Sequence, residues 1–268
     1  LGDVYKRQAE KRSYLSTPFQ QHLDVLGRIC PEYKTLSKET MKKIIMALAC
    51  MILAITSMQA QEFTLEYNIG YGLYSMSDMK DLLKNAASSS LKGVKTTDEF
   101  PGNFTHNFRA GIQLQQHQMG ITFSHQNTSG QNHLADPTGE YKLKVKNSGN
   151  ILGTFYRFHL LQGRISPFFE LSTGIVFNTS KMEEYVRVDS QVQEDKQTLV
   201  GINVFLQPAI GVRYKITTFA AIIASAGYEW DPTGNLHLKG NKDMKSSYDA
   251  NWSGLRVSAG IVTYFKMK

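Results

Sequence analysis

From Glu62 onward, apolar and polar residues alternate with period two. The runs exceed the roughly five or six residues of an average soluble strand. Phe63, Leu65, Tyr67, Ile69, Tyr71 and Leu73 share one face, against Thr64, Glu66, Asn68, Gly70, Gly72 and Tyr74. Phe104, His106, Phe108, Ala110, Ile112 and Leu114 repeat the pattern, as do Leu255, Val257, Ala259, Ile261, Thr263 and Phe265 near the end of the chain. Five further segments, beginning at Met119, Leu152, Phe169, Val200 and Ile222, follow the same rule. Successive strand side chains point to opposite faces, so each segment has one oily and one wet side. Eight such segments predict an all-β fold, an eight-stranded antiparallel up-and-down barrel. Phe168, Val176 and Phe205 fall on the wet side and are read as interior packing near a barrel end.

The connections alternate in length. Those at 116–118, 162–164 and 215–218 are tight, whereas 75–102, 126–150, 178–197 and 231–250 read as long polar loops. Three short turns and four long loops place both termini on one side, as short periplasmic turns and longer external loops require. Within the first loop, Met79, Leu82, Leu83 and Ala86 recur at helical spacing, and Ser75 and Asp78 stand like a capping box, so a short helix is expected over 75–87, covering the mouth or plugging it. Pro167 sits near a strand start. Pro208 falls inside the sixth strand, where it removes a ladder donor and predicts a bulge.

Which face points inward decides between a membrane barrel and a soluble, lipocalin-like ligand-binding barrel. The wet face carries Glu66, Arg109, Arg157, Glu170, Arg213, Glu229 and Arg256, while the oily face carries no charge in mid-strand. Mixed charges suit a lumen in which they pair, and we expect these seven to form a connected interior ion-pair network. Glycines at 70, 72, 111, 153, 174, 201, 211, 227 and 260 share that face and suit a narrow interior. The oily face is rich in aromatics, including Tyr67, Tyr71, Tyr156, Phe177, Tyr228, Trp230 and Phe265, as interfacial girdles are. The pattern therefore predicts a transmembrane β-barrel of a Gram-negative outer membrane.

On the alternation, on Ile165 through Leu171 to Gly174, on Gln207 through Gly211 and on the terminal strand, residues 61–265 resemble the small outer-membrane β-barrel domain family of OmpA-like, OmpX-like and PorT-like barrels. The resemblance implies that Ser258, Gly260 and Phe265 belong to the assembly signal read by the barrel-insertion machinery. Thr263 departs from the hydrophobic residue expected there.

Residues 1–40 lack a sustained period and read as an upstream segment outside the native protein. Met41, Lys42 and Lys43 followed by an apolar run and a small-residue end at Ala60 predict a signal peptide over 41–60. The run is shorter than the roughly 20 residues of a membrane anchor. Cleavage there leaves 61–268 as one barrel domain without cysteine, since both cysteines, Cys30 and Cys50, precede it. The formal charge of +7 falls to +3 over 61–268, where 21 Lys and Arg face 18 Asp and Glu, which argues against a nucleic-acid partner.

Catalytic constellations are sparse. Ser124 and His125 are adjacent, but strand neighbours point to opposite faces and cannot converge. The histidines at 106, 117, 125, 133, 159 and 237 show no closely spaced ligand motif, so no metal or cofactor is expected, and the glycines follow the strands rather than a phosphate loop. Eight strands enclose only enough room for side chains, which disfavours a porin-like channel. The expectation is a non-enzymatic component of the cell outer membrane, structural, adhesive or part of an envelope complex, acting through its external loops. Its expected partners are outer-membrane lipid and lipopolysaccharide and an envelope or extracellular protein. A lipid-modifying barrel enzyme is the alternative.

Overall fold

The computed structural model describes residues 61–90, 94–137, 139–189, 191–232, 234 and 236–266, all within the unit Ala60–Lys268. The readings of 1–40 and of the signal peptide lie outside the described residues. Eleven strands and one helix follow in order: β1 (Gln61–Gly72), α1 (Ser77–Ser90), β2 (Lys95–Glu99), β3 (Asn103–Leu114), β4 (His117–Asp136), β5 (Gly139–His159), β6 (Ile165–Val188), β7 (Gln191–Lys215), β8 (Ala220–Glu229), β9 (His237–Leu238), β10 (Asn241–Lys245) and β11 (Gly254–Lys266). Eight strands close an antiparallel ring, β1, β3, β4, β5, β6, β7, β8 and β11, and the pairing of β11 with β1 seals it.

The register fixes the size of this barrel. Tyr71 of β1 faces Val257, and the line of partners runs on through Ala226, Ile210, Phe169, Phe158, His117 and Leu114 to return at Gln61. One circuit therefore slips ten residues along β1. For eight strands about 4.8 Å apart, this stagger gives a tilt of about 40° and a backbone radius of about 8 Å. The outward row from Phe63 to Leu73 then spans about 25 Å along the barrel axis, the height of a lipid-facing band. Its members are exposed, Ile69 at 49%, Phe108 at 53% and Ile261 at 58%, while Thr64, Glu66 and Asn68 on the other parity are buried. The apolar face is outward, so the chain is a transmembrane barrel and the inside-out, lipocalin-like arrangement is not formed. No helix among the described residues is long and apolar enough to cross a membrane; the strands do so.

A narrow bore needs fillers and room for them. Phe155 lies across Gly120 and reaches Gly111, and Phe205 lies across Gly174 and reaches Gly153; a Cβ at Gly111 or Gly153 would stand 3.1 Å from the ring edge. Phe168 occupies the space over its cross-strand partner Gly211. Phe168, Val176 and Phe205, the three residues that break the alternation, are all buried in end layers of the interior.

Three expectations change. The segments 126–150 and 178–197 are not loops: β4 and β5 run 20 and 21 residues, β6 and β7 run 24 and 25, and they continue as paired hairpins beyond the apolar band. The pleat persists there with Gln126, Thr128 and Asn132 buried inside. The outward residues have become polar, however, so hydropathy no longer marks the alternation. β2 pairs with β4, β9 with β7 and β10 with β9, widening this extramembrane sheet. Pro208 makes no bulge. Leu206 exchanges both backbone hydrogen bonds with Trp230, at 2.9 and 2.8 Å, so Pro208 turns its missing donor toward β8; pairing lapses there and resumes at Ala209–Gly227 in the same register. The helix starts at Ser77, because Leu73 and Ser75 still donate to Leu255 and Ser253 and extend the barrel ladder. Met79 and Leu83 of α1 are fully buried in a cluster with Tyr74, Met76, Phe100, Val145 and Trp252, and Asn132 Nδ2 holds the Leu83 carbonyl at 2.6 Å, so the helix covers the mouth.

Candidate functional site

The interior charges sit on inward positions of the transmembrane strands. Glu66 and Arg109 are cross-strand partners on β1 and β3, and Arg157 and Glu170 are partners on β5 and β6. The two pairs meet across the lumen. Arg157 reaches Glu66 at 2.9 Å and Glu170 at 2.6 Å; Arg109 reaches Glu170 at 2.8 Å and Glu66 at 3.4 Å. All four side chains are at most 6% exposed. Two positive and two negative groups cancel, and the Arg157 guanidinium stacks over Phe168 at 4.4 Å. Such burial is tolerable only because every charge has an opposite partner and hydrogen bonds to it.

The seven predicted charges do not form one ion-pair network. Arg256 contacts Glu229 at 3.2 Å in a separate pair nearer the mouth, bridged by Gln126 and lying over the Tyr74 ring at 4.7 Å. Among the described residues Arg213 meets no carboxylate: its register neighbours are Ser166 and Ile223, and its Nη1 donates to Gln113 at 2.7 Å, to the Tyr264 hydroxyl at 3.2 Å and to His159 at 3.3 Å. Arg213 thus stands apart from the quartet: Gln118 Oε1 accepts from Arg157 at 3.0 Å and lies 3.3 Å from His159 Nε2, itself an acceptor.

Sequence reasoning missed the pair Ser166 and His159, which becomes visible once both are placed inward across the β5–β6 turn. Ser166 Oγ donates to the Leu161 carbonyl at 2.7 Å, so in its 3.0 Å contact with His159 Nδ1 the ring is the donor. That leaves Nε2 to accept from Arg213. A serine whose proton is committed to a carbonyl is not activated by this histidine. Ser124 is buried and His125 points outward, as their adjacency requires. The outward histidines are each paired: His106 with the Tyr67 hydroxyl at 2.9 Å, His117 with the Tyr156 hydroxyl at 2.7 Å and His125 with Asn150 at 2.9 Å.

A second missed feature is Asp231, in the loop after β8. Its Oδ2 accepts from Asn203 Nδ2 at 3.0 Å and from the Trp252 backbone N–H at 3.1 Å, while its Oδ1 and Asn203 Oδ1 are buried without partners among the described residues. Burial pushes the Asp231 carboxyl up to about 6. Between the quartet and the Glu229–Arg256 pair lies a polar cavity of about 40 Å³, lined by Thr105, Asn107, Thr122, Ser124 and Ser258, room for a few waters. Below the quartet, Phe168, Ala221, Ile223, Val262 and Tyr264 form an apolar layer, and above the pair the α1 and Trp252 cluster forms another. Among the described residues no group of three or more His, Cys, Asp or Glu is placed to hold a metal. Ser258 faces inward and bonds Ser225 at 2.9 Å, Gly260 packs on Asn68, and Phe265 is outward, 52% exposed and 6.2 Å from Phe63.

No protein-family model matches this chain, and no curated protein matches it. Among solved structures it is similar to small outer-membrane barrels. Neisserial surface protein A is 13% identical over 76% of this chain and 97% of that one, with a TM-score of 0.36. The N-terminal barrel domain of Pseudomonas aeruginosa OprF is 11% identical over 77% and 100%, with a TM-score of 0.31. The outer-membrane protease OmpT of Escherichia coli is 10% identical over 78% and 98%, with a TM-score of 0.35. The eight-stranded outer-membrane architecture of this chain stands on its own closed ring, inward charges and outward apolar band.

Proposed function

We propose that the protein is a non-enzymatic outer-membrane scaffold. Its barrel anchors a sheet that stands above the membrane and offers that sheet to an envelope or extracellular partner, in a structural or adhesive role. The observation that carries this reading is the filled bore: a buried Glu66–Arg109–Arg157–Glu170 quartet lies between two apolar layers, while the β4–β5 and β6–β7 hairpins continue beyond the lipid-facing band as ordered strands. A body built this way spends its interior on rigidity and its exterior on contact. Export through a cleaved signal and insertion by the assembly machinery that reads Ser258, Gly260 and Phe265 belong to the same proposal.

The test is electrical. The folded protein inserted in a planar bilayer should give no stepwise conductance at either polarity. Discrete steady channels from the unaltered protein would overturn the scaffold reading in favour of a pore.

A further inference from the structure

We infer that the outer wall of β5 and β6 just above the membrane binds the phosphorylated saccharide headgroup of an outer-leaflet glycolipid. This rests on the proposed orientation of the barrel, with the β4–β5 and β6–β7 hairpins external. The outward row of β5 reads Tyr156, Thr154, Leu152, Asn150, Ser148 and then Lys146, Lys144 and Lys142. The lysines thus lie on the parity that faces lipid lower down, and they point sideways from the barrel into the headgroup layer rather than into the lumen. Lys181 of β6 stands directly opposite Lys146, and like charges in register repel. Glu183 accepts both its short contacts from Lys146, at 3.1 Å. The nearby Lys196 pairs with Glu194 at 3.2 Å. Lys144 stands in register with Glu183, whose short contacts go to Lys146, and Lys142 and Lys181 form no ion pair with a carboxylate among the described residues. Beside them, Ser129 and Gln131 of β4 are the register partners of Lys146 and Lys144 and add a hydroxyl and an amide. Ammonium groups interleaved with neutral hydrogen-bonding side chains fit an anion that carries both phosphates and hydroxyls.

Height decides which lipid. Counting from the last apolar residues on this wall, Leu152 on β5 and Phe177 on β6, to the paired Lys146 and Lys181 gives six and four residues, and the tilt converts these to about 15 and 10 Å above the hydrocarbon. A phospholipid headgroup layer is only about 5–7 Å thick on each side. Phosphates on a glycerophospholipid fall short of Lys144 and Lys142. A lipid whose phosphates are borne on an extended saccharide reaches them.

The experiment uses the full-length folded protein in detergent, with purified short-core lipopolysaccharide as probe. Retention of the probe through detergent exchange is compared for intact and chemically dephosphorylated lipopolysaccharide and for phosphatidylglycerol. The unaltered protein should retain the phosphorylated form about tenfold better than either of the others; equal retention of all three overturns the proposal without any variant. Lys142→Gln, Lys144→Gln, Lys181→Gln should abolish that preference, whereas Lys239→Gln, Lys242→Gln, Lys245→Gln, the same charge change on the last loop, should keep it. Equal loss in both triples would reduce the effect to net charge and contradict the site. Full competition by the deacylated, soluble saccharide phosphate at equal concentration would contradict a lipid-borne partner. Orientation is scored separately by protease access to the β6–β7 tip in cells, so a failed topology and a failed binding site give different results.

Discussion

Glu170 accepts from two guanidiniums, and without its charge Arg109 and Arg157 would share Glu66 in a bore closed to bulk water. Glu170→Ala is therefore expected to cost about 3–5 kcal/mol, the range for breaking a buried pair, and Glu170→Gln less, because an amide oxygen still accepts. The temperature at which the folded electrophoretic band disappears should fall in that order; an unchanged midpoint for Glu170→Ala would mean that the quartet is not needed. Parity along each strand told from the sequence alone that these groups face inward. Their pairing was not legible, since it depends on inter-strand register, and register is why Arg213 meets Ser166 and Ile223 rather than a glutamate.

Asp231 gives a pH dependence with a definite sign. Its carboxyl lies near 3.8 when exposed and about 6 in the folded loop, so between these values the folded state holds more protons than the unfolded one. The loop should then gain stability as pH falls from 7.5 through 6, and a proton on Asp231 supplies a donor where Asp231 Oδ1 and Asn203 Oδ1 both lack one among the described residues. Exchange of the Trp252 amide, corrected for intrinsic rates, should be slower at pH 5 than at pH 7.5, with the difference removed in Asp231→Asn. Faster exchange at pH 5 would contradict the buried-acid account.

At the scale of elements, the eight transmembrane segments were readable because lipid outside and polar groups inside impose one repeating rule on every strand. The same pleat continues unread through β4, β5, β6 and β7, where water replaces lipid and the outward residues turn to Asn127, Ser129, Lys144 and Glu183. Loop and strand then share a composition, and only cross-strand pairing separates them. One consequence concerns proteolysis, for which the clustered polar residues of 88–95 and 188–196 read from the sequence as external cut sites. The first lies partly outside the described residues. The second is the tip of the β6–β7 hairpin, where Asp189 adopts a φ of 52° and Val192 is 55% exposed. Protease added to intact cells should cut at this tip and spare the paired strands beneath it, as mapped by mass spectrometry of the fragments. Cleavage at the 162–164 turn instead would invert the barrel in the membrane.

At the scale of the whole molecule, the ten-residue stagger, the glycine-seated aromatics and the neutral quartet serve one geometry. A ring of this radius has no bore to spare, so its interior must be built from side chains that satisfy each other, and its outer surface must satisfy lipid. This closed ring, with its apolar face outward, is the protein's form in the outer membrane. The most direct measurement is electrophoresis of the outer-membrane fraction in mild detergent, with and without boiling. A sealed hydrogen-bonded barrel resists that detergent, so unboiled protein should run as a compact, faster band that shifts to its full apparent mass on heating. Recovery in the soluble periplasmic fraction, with the same mobility before and after boiling, would contradict it.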